Sequence, residues 1–167
     1  MNIVTFMDYE RKQMNKFLKE AYRLGQIGMR KNAGGPFGAV IVYKNKIIGR
    51  GYNRVLETND PTKHAEMMAI SDAAKHLKRF DLSDCELYAT GEPCPMCLAA
   101  IAWARIPTVY FGNDYKATSE IGFDDKPIYQ FMMKKPSKIK VKMIHINSRE
   151  SAELYKEWAN KTDKRMY

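Results

Sequence analysis

Two cysteines three apart, Cys94 and Cys97 in "EPCPMC", and a histidine two before a glutamate, His64 and Glu66 in "KHAE", have types and spacing that could do chemistry. A C-x-x-C pair alone admits three readings: a redox couple, half of a structural zinc clip, or part of a reaction centre. The redox reading leaves His64 and Glu66 idle. A structural clip needs a fourth protein ligand, and the candidates fit poorly: His76 lies well along the helix from His64, Cys85 begins a different strand, and His145 sits near the end of the last strand. The favoured arrangement is His64, Cys94 and Cys97 around one Zn²⁺ per chain, with water or hydroxide as the fourth ligand, because an open position marks a catalytic zinc site. Zinc bound in this way lowers the pKa of water from 15.7 to about 7 and makes hydroxide available at neutral pH. Soft thiolates favour zinc over harder divalent ions.

Glu66 completes this chemistry only under a geometric condition. Residues i and i+2 in mid-helix point about 200° apart, so His64 and Glu66 can face one site only at a helix end. From there Glu66 can take a proton from the water and pass it on without binding the metal. Cys94 and Cys97, at i and i+3, share a helix face, and a helix N-terminus favours their thiolates. The fold must therefore bring two helix starts together.

The rest of the chain supplies such elements. Met14, Phe17, Leu18 and Ala21 recur at helical spacing between about Asp8 and Arg30. "PFGAVIVYKNKIIGRGYN" reads as two strands around a Lys44-Asn45 turn. A second helix is expected from an Asp60 or Thr62 cap, with Met67, Ile70, Ala73, Ala74 and Leu77 as its apolar stripe. "CELYAT" is a short strand, "CPMCLAAIAWAR" a helix opened by Pro95, and "TVYFG" another strand. A short helix around Pro127–Met133, a half-exposed strand "KIKVKMIH" and a last helix with Leu154, Tyr155 and Trp158 close the chain. Strands alternating with helices predict an α/β layered domain.

Composition restricts the function classes. At 167 residues and 45% hydrophobic, the chain has the size of one domain with its own core, read here as a single domain over 1–167. The N-terminus shows no basic run followed by an apolar stretch, and the apolar segment Cys97–Ala104 is far shorter than a membrane span, so a cytoplasmic protein without a membrane role is expected. Three cysteines argue against a disulfide framework. A net charge of +9 permits contact with phosphates without specifying it. Basic residues interleaved with aromatics on one face, the mark of a nucleic-acid-binding module, are not visible.

H-x-E followed by P-C-x-x-C is the signature of the zinc nucleobase deaminases. With "GGPFGAVIV", "NDPTKHAE", "GFDDKPIY" and the closing "WANKTDKRMY", the chain resembles the bacterial guanine deaminases of the cytidine deaminase-like superfamily from about Gly34 to Tyr167. The resemblance implies a three-layer α/β/α fold with a mixed five-stranded sheet and helices on both faces. It also implies hydrolysis of guanine to xanthine and ammonia by a homodimer whose C-terminal segments, about 148–167, are exchanged between subunits. Carried over by position, His64, Cys94 and Cys97 are the zinc ligands and Glu66 the proton shuttle. Asn53 binds the base, Ala65 also contacts substrate, Phe37 and Trp103 line the pocket, and Asp125 holds the departing amino group and helps to protonate it. Tyr167 reaches into the partner's site. Two positions depart from the family: Gly91 replaces a Cys or Leu before "EPC", and Arg54 places a cation beside Asn53, where it would draw the site toward anionic substrates. The rival reading is a tRNA adenosine deaminase using the same centre, or a deaminase of another small amino-heterocycle such as cytosine.

Overall fold

A computed structural model describes residues 3–136, 145 and 148–163 of the chain. The elements are α1 (Ile3–Arg30), β1 (Gly38–Tyr43), β2 (Lys46–Tyr52), α2 (Val55–Thr58), α3 (Ala65–Leu77), β3 (Cys85–Gly91), α4 (Pro95–Trp103), β4 (Thr108–Asn113), α5 (Tyr115–Glu120), α6 (Lys126–Met132) and α7 (Arg149–Asn160). The strands lie in the order β2-β1-β3-β4; the first two pairings are antiparallel and the last is parallel. The sheet is mixed, as expected, with four strands among the described residues. The fifth strand expected over 138–145 falls outside them but for His145. No helix among the described residues is long and apolar enough to cross a membrane.

The β1–β2 hairpin turns at Lys44 and Asn45, both with positive φ (46° and 60°), a primed turn whose twist matches that of the flanking strands. Successive β1 side chains face opposite sides. Ala39 and Ile41 join Leu87, Ala89 and Ile101 in the core beneath α3 and α4, while Val40 and Val42 join Phe17, Leu24 and Tyr88 beneath α1. The result is the α/β/α layering the resemblance implied.

The placement of α3 depends on glycine. A β-carbon at Gly51 would stand 2.1 Å from the Ala65 carbonyl oxygen, and one at Gly49 would stand 2.4 Å from that of Ala69. Backbone therefore lies on backbone, with Ala65, Ala69 and Ala73 fully buried along the contact. This corrects the expected stripe: Ile70 and Leu77 pack only partly against the core, and the fully buried line is made of alanines. The helix also starts later than expected. Asp60 is spent on a local turn, its Oδ1 accepting from the Thr62 amide at 2.8 Å and hydroxyl at 2.6 Å, and His64 takes the N-cap position. The short helices α2 and α5 are additions to the sequence reading.

Candidate active site

His64 and Cys94 both occupy N-cap positions, with extended backbone (ψ 158° and 168°), of α3 and α4 respectively. Pro95 sits in the first turn of α4, as expected. The two helix starts meet. His64 Nδ1 is 3.5 Å from Cys94 Sγ and 3.6 Å from Cys97 Sγ, and the three donor atoms lie within 4.8 Å of one another. Zn–N bonds of 2.0–2.1 Å and Zn–S bonds of 2.3 Å at a tetrahedral angle place N and S about 3.6 Å apart, so the side chains stand at ligand spacing. No further His, Cys, Asp or Glu among the described residues joins the cluster, so a bound ion keeps one position open.

The electrostatics suit a dication. The Cys97 thiol hydrogen-bonds Cys94, and with a further bond to His64 this pulls the Cys94 thiol down to about 4 despite its burial. The same bond and burial push Cys97 up. Two sulfurs thus share one proton, which a divalent cation would displace. Glu66 is 8% exposed, and burial raises its carboxyl above the usual range. It lies in the first turn of α3, the location that lets it share a site with His64.

A cavity of about 330 Å³ opens over this cluster. Phe37, Asn53, His64, Glu66, Cys94 and Asp125 line it as expected, together with Gly34, Gly35, Val55, Leu56, Glu92, Thr118 and Phe123. Asn53 is held in place: its amide donates to the Phe37 carbonyl at 3.0 Å, and its Oδ1 accepts from the Val55 amide at 3.1 Å. That leaves Nδ2 as the donor for a ligand. A β-carbon at Gly34 would stand 2.0 Å from Asn53 Oδ1, so the glycine is what makes room for it. The Thr90 hydroxyl accepts from the Gly38 amide at 3.1 Å and donates to the Pro36 carbonyl, tying the Phe37 loop to β3. Phe37 meets Phe123 edge to face, 4.9 Å between centroids, forming an aromatic wall.

The two aspartates of "GFDD" divide their work. Asp124 Oδ1 accepts from the Lys126 amide at 3.0 Å and the Tyr115 hydroxyl at 2.6 Å. Asp125 sits at the N-cap of α6 without a side-chain capping bond and faces the cavity; burial raises its pKa, and the Cys94 thiolate adds to the effect. Asp124→Ala is therefore expected to lower stability by about 1 kcal/mol through the lost hydrogen bonds to Lys126 and Tyr115, and Asp125→Ala to leave thermal stability nearly unchanged while reducing turnover. Thermal melts and steady-state rates of the two variants check this separation.

Three expectations are corrected. Trp103 does not border the cavity. It is the last residue of α4, 65% exposed, and lines a separate surface groove with Ile70, Ala74 and Phe80, because six residues past Cys97 is about 240° around the helix. The Ala65 methyl belongs to the core, so a contact with substrate could come only from its main-chain amide at the first turn of α3. Arg54 does not line the cavity: its guanidinium binds Glu57 at 2.8 and 3.2 Å, and among the described residues no lysine or arginine lines it. Tyr167 lies outside the described residues. Glu92 and Thr118 are additions that the sequence reading did not single out.

A mixed sheet that brings H-x-E and P-C-x-x-C to two adjoining helix starts defines a zinc-dependent hydrolytic deaminase, and the chain belongs to the family of the cytidine and deoxycytidylate deaminase zinc-binding region, which residues 11–113 match. Within it, the chain is 42% identical over 151 residues to the guanine deaminase of Bacillus subtilis (strain 168), covering 90% of this chain and 97% of that protein. The X-ray structure of guanine deaminase from Bacillus subtilis superposes with a TM-score of 0.86 at 41% identity, over 92% of this chain and 98% of that one. A tRNA-specific adenosine deaminase of Buchnera aphidicola subsp. Schizaphis graminum is 39% identical over 119 residues, 71% of this chain and 76% of that protein.

Proposed function

We propose that this chain, as a single deaminase domain over 1–167, hydrolyses guanine to xanthine and ammonia. The observation that carries the reading is the pairing of Glu66 and Asp125 in one cavity beside the His-Cys-Cys cluster. Likeness to a guanine deaminase over nine-tenths of the chain supports it. Zn²⁺ held by His64, Cys94 and Cys97 supplies Lewis-acid activation of water. Glu66, buried and with a raised pKa, takes the proton from the attacking water and returns it to a ring nitrogen beside C2. Asp125 holds the exocyclic amino group and delivers the second proton, so that it leaves as ammonia. One water is consumed, its oxygen stays on C2, and the C–N bond breaks.

The remaining groups bind and orient. Asn53 Nδ2 donates to an acceptor on the purine, and Phe37 packs against the ring. Trp103 does not line this chain's cavity. A homodimer with exchanged C-termini would place Tyr167 in the partner's site. That assembly is supported by α7, whose Leu154, Tyr155 and Trp158 are 61%, 78% and 42% exposed, an apolar set awaiting cover.

The test is a substrate panel: zinc-loaded protein with guanine, cytosine, adenine and an anticodon stem-loop RNA, following ammonia and product. Xanthine from guanine is expected. Inosine in the RNA with guanine untouched would move the function to tRNA deamination, which the +9 charge would suit.

A further inference from the structure

The Thr118 hydroxyl stands apart from the machinery described above. Thr118 is 7% exposed, lies on α5 and lines the cavity. Its Oγ1 lies 3.1 Å from the Asp114 carbonyl, to which only the hydroxyl can donate, so its single proton is committed there. The lone pairs of Oγ1 are left to accept. The element that carries it is fixed from two sides: Glu92 Oε2 accepts from the Tyr115 amide at 2.8 Å, and Asp114 Oδ1 caps α5 through the Ala117 amide at 2.9 Å. Gly91 leaves the hydroxyl uncovered. A β-carbon there would meet Thr118 Oγ1 at 3.4 Å and the Phe37 ring at 3.6 Å, ordinary contacts that the fold tolerates but that occupy the space in front of the oxygen.

We infer that Thr118 is a specificity-determining residue whose Oγ1 accepts a hydrogen bond from a ring N–H of the bound purine, in a space that Gly91 keeps open. The inference rests on the guanine reading and adds a residue to it. Glu66, Glu92, Asp125 and Thr118 then present acceptors to the cavity, a lining that favours a base rich in N–H groups. Guanine carries N–H donors on both rings, whereas adenine offers an unprotonated ring nitrogen at its pairing edge. Losing one neutral hydrogen bond in a dry pocket corresponds to roughly tenfold in affinity.

Steady-state kinetics on guanine and its 1-, 7- and 9-methyl derivatives, with zinc content and melting temperature recorded for each variant, test this. Thr118→Val is expected to raise KM for guanine about tenfold with kcat within about threefold, and Thr118→Ser to restore it. One N-methyl guanine should be handled alike by parent and Thr118→Val, which identifies the N–H concerned. Gly91→Ala should raise KM as well, and the two substitutions together should cost less than the product of their separate effects, because both act on one oxygen. An unchanged KM in Thr118→Val, or a loss accompanied by reduced zinc or by equal losses on all four bases, overturns the assignment of Thr118 alone. No xanthine from the parent protein overturns the guanine reading and the inference with it.

Discussion

Glu66→Gln is expected to keep one zinc per chain and a parent-like melting temperature while turning guanine over about 10² to 10⁴ times more slowly, the usual worth of a positioned general acid–base. The donor atoms of the metal cluster belong to His64, Cys94 and Cys97, and Glu66 contributes none of them. Glutamine has nearly the same shape, so the buried niche at the first turn of α3 stays filled. What is lost is the ability to accept a proton from water and give it back. KM should change little, since binding falls to Asn53, Phe37 and the acceptor lining. Metal analysis with single-turnover kinetics separates the outcomes: full zinc with full activity removes Glu66 from the proton path, and lost zinc makes it a ligand.

Gly51→Ala should be strongly damaging, because it strikes the contact that seats α3 on β2. The added carbon would stand 2.1 Å from the Ala65 carbonyl oxygen and 2.6 Å from the Ala69 nitrogen, both main-chain atoms that no rotamer change can move. The helix must lift from β2, and overpacking of this kind costs on the order of 3 kcal/mol. For a chain of this size that is a drop in Tm of roughly 6–12 °C. His64 and Glu66 ride on the lifted end, so zinc content and rate should fall with stability. Gly91→Ala, whose nearest contact is 3.4 Å, should melt like the parent. If Gly51→Ala melts within about 2 °C of the parent, α3 is not held by this contact.

These two positions also mark how far the sequence could be read. The His-Cys-Cys cluster and the place of Glu66 beside it were legible because their geometry is local: H-x-E needs one helix start, and C-P-x-C supplies another together with its own N1 proline. The hairpin and the alternation of β1 were legible for the same reason. The buried face of α3 was not, because Gly49 and Gly51 invite alanine backbone rather than large side chains, a choice made by a partner strand. Glu92 and Thr118 escaped because the β3–β4 pairing and the Asn113 contacts bring α5 to the site; Asn113 Nδ2 donates to the Thr90 carbonyl at 3.0 Å, and its own carbonyl accepts from the Glu92 amide at 2.8 Å. Trp103 lies away from its own chain's cavity because likeness by position carries no information about which way a helix face turns within one chain.

The N-cap positions of α3 and α4 are filled by His64 and Cys94, and neither side chain makes a capping bond. Serine, threonine, aspartate or asparagine there would each contribute about 1 kcal/mol, and the His-Cys-Cys cluster would be lost with any of them. An ion held by His64, Cys94 and Cys97 would thus perform the task that caps perform elsewhere, tying down two helix ends. Loading the site is a local folding event as well as a chemical one. Any drift toward a weaker ligand would loosen the turn that carries Glu66, so catalysis and order at this site cannot be selected separately.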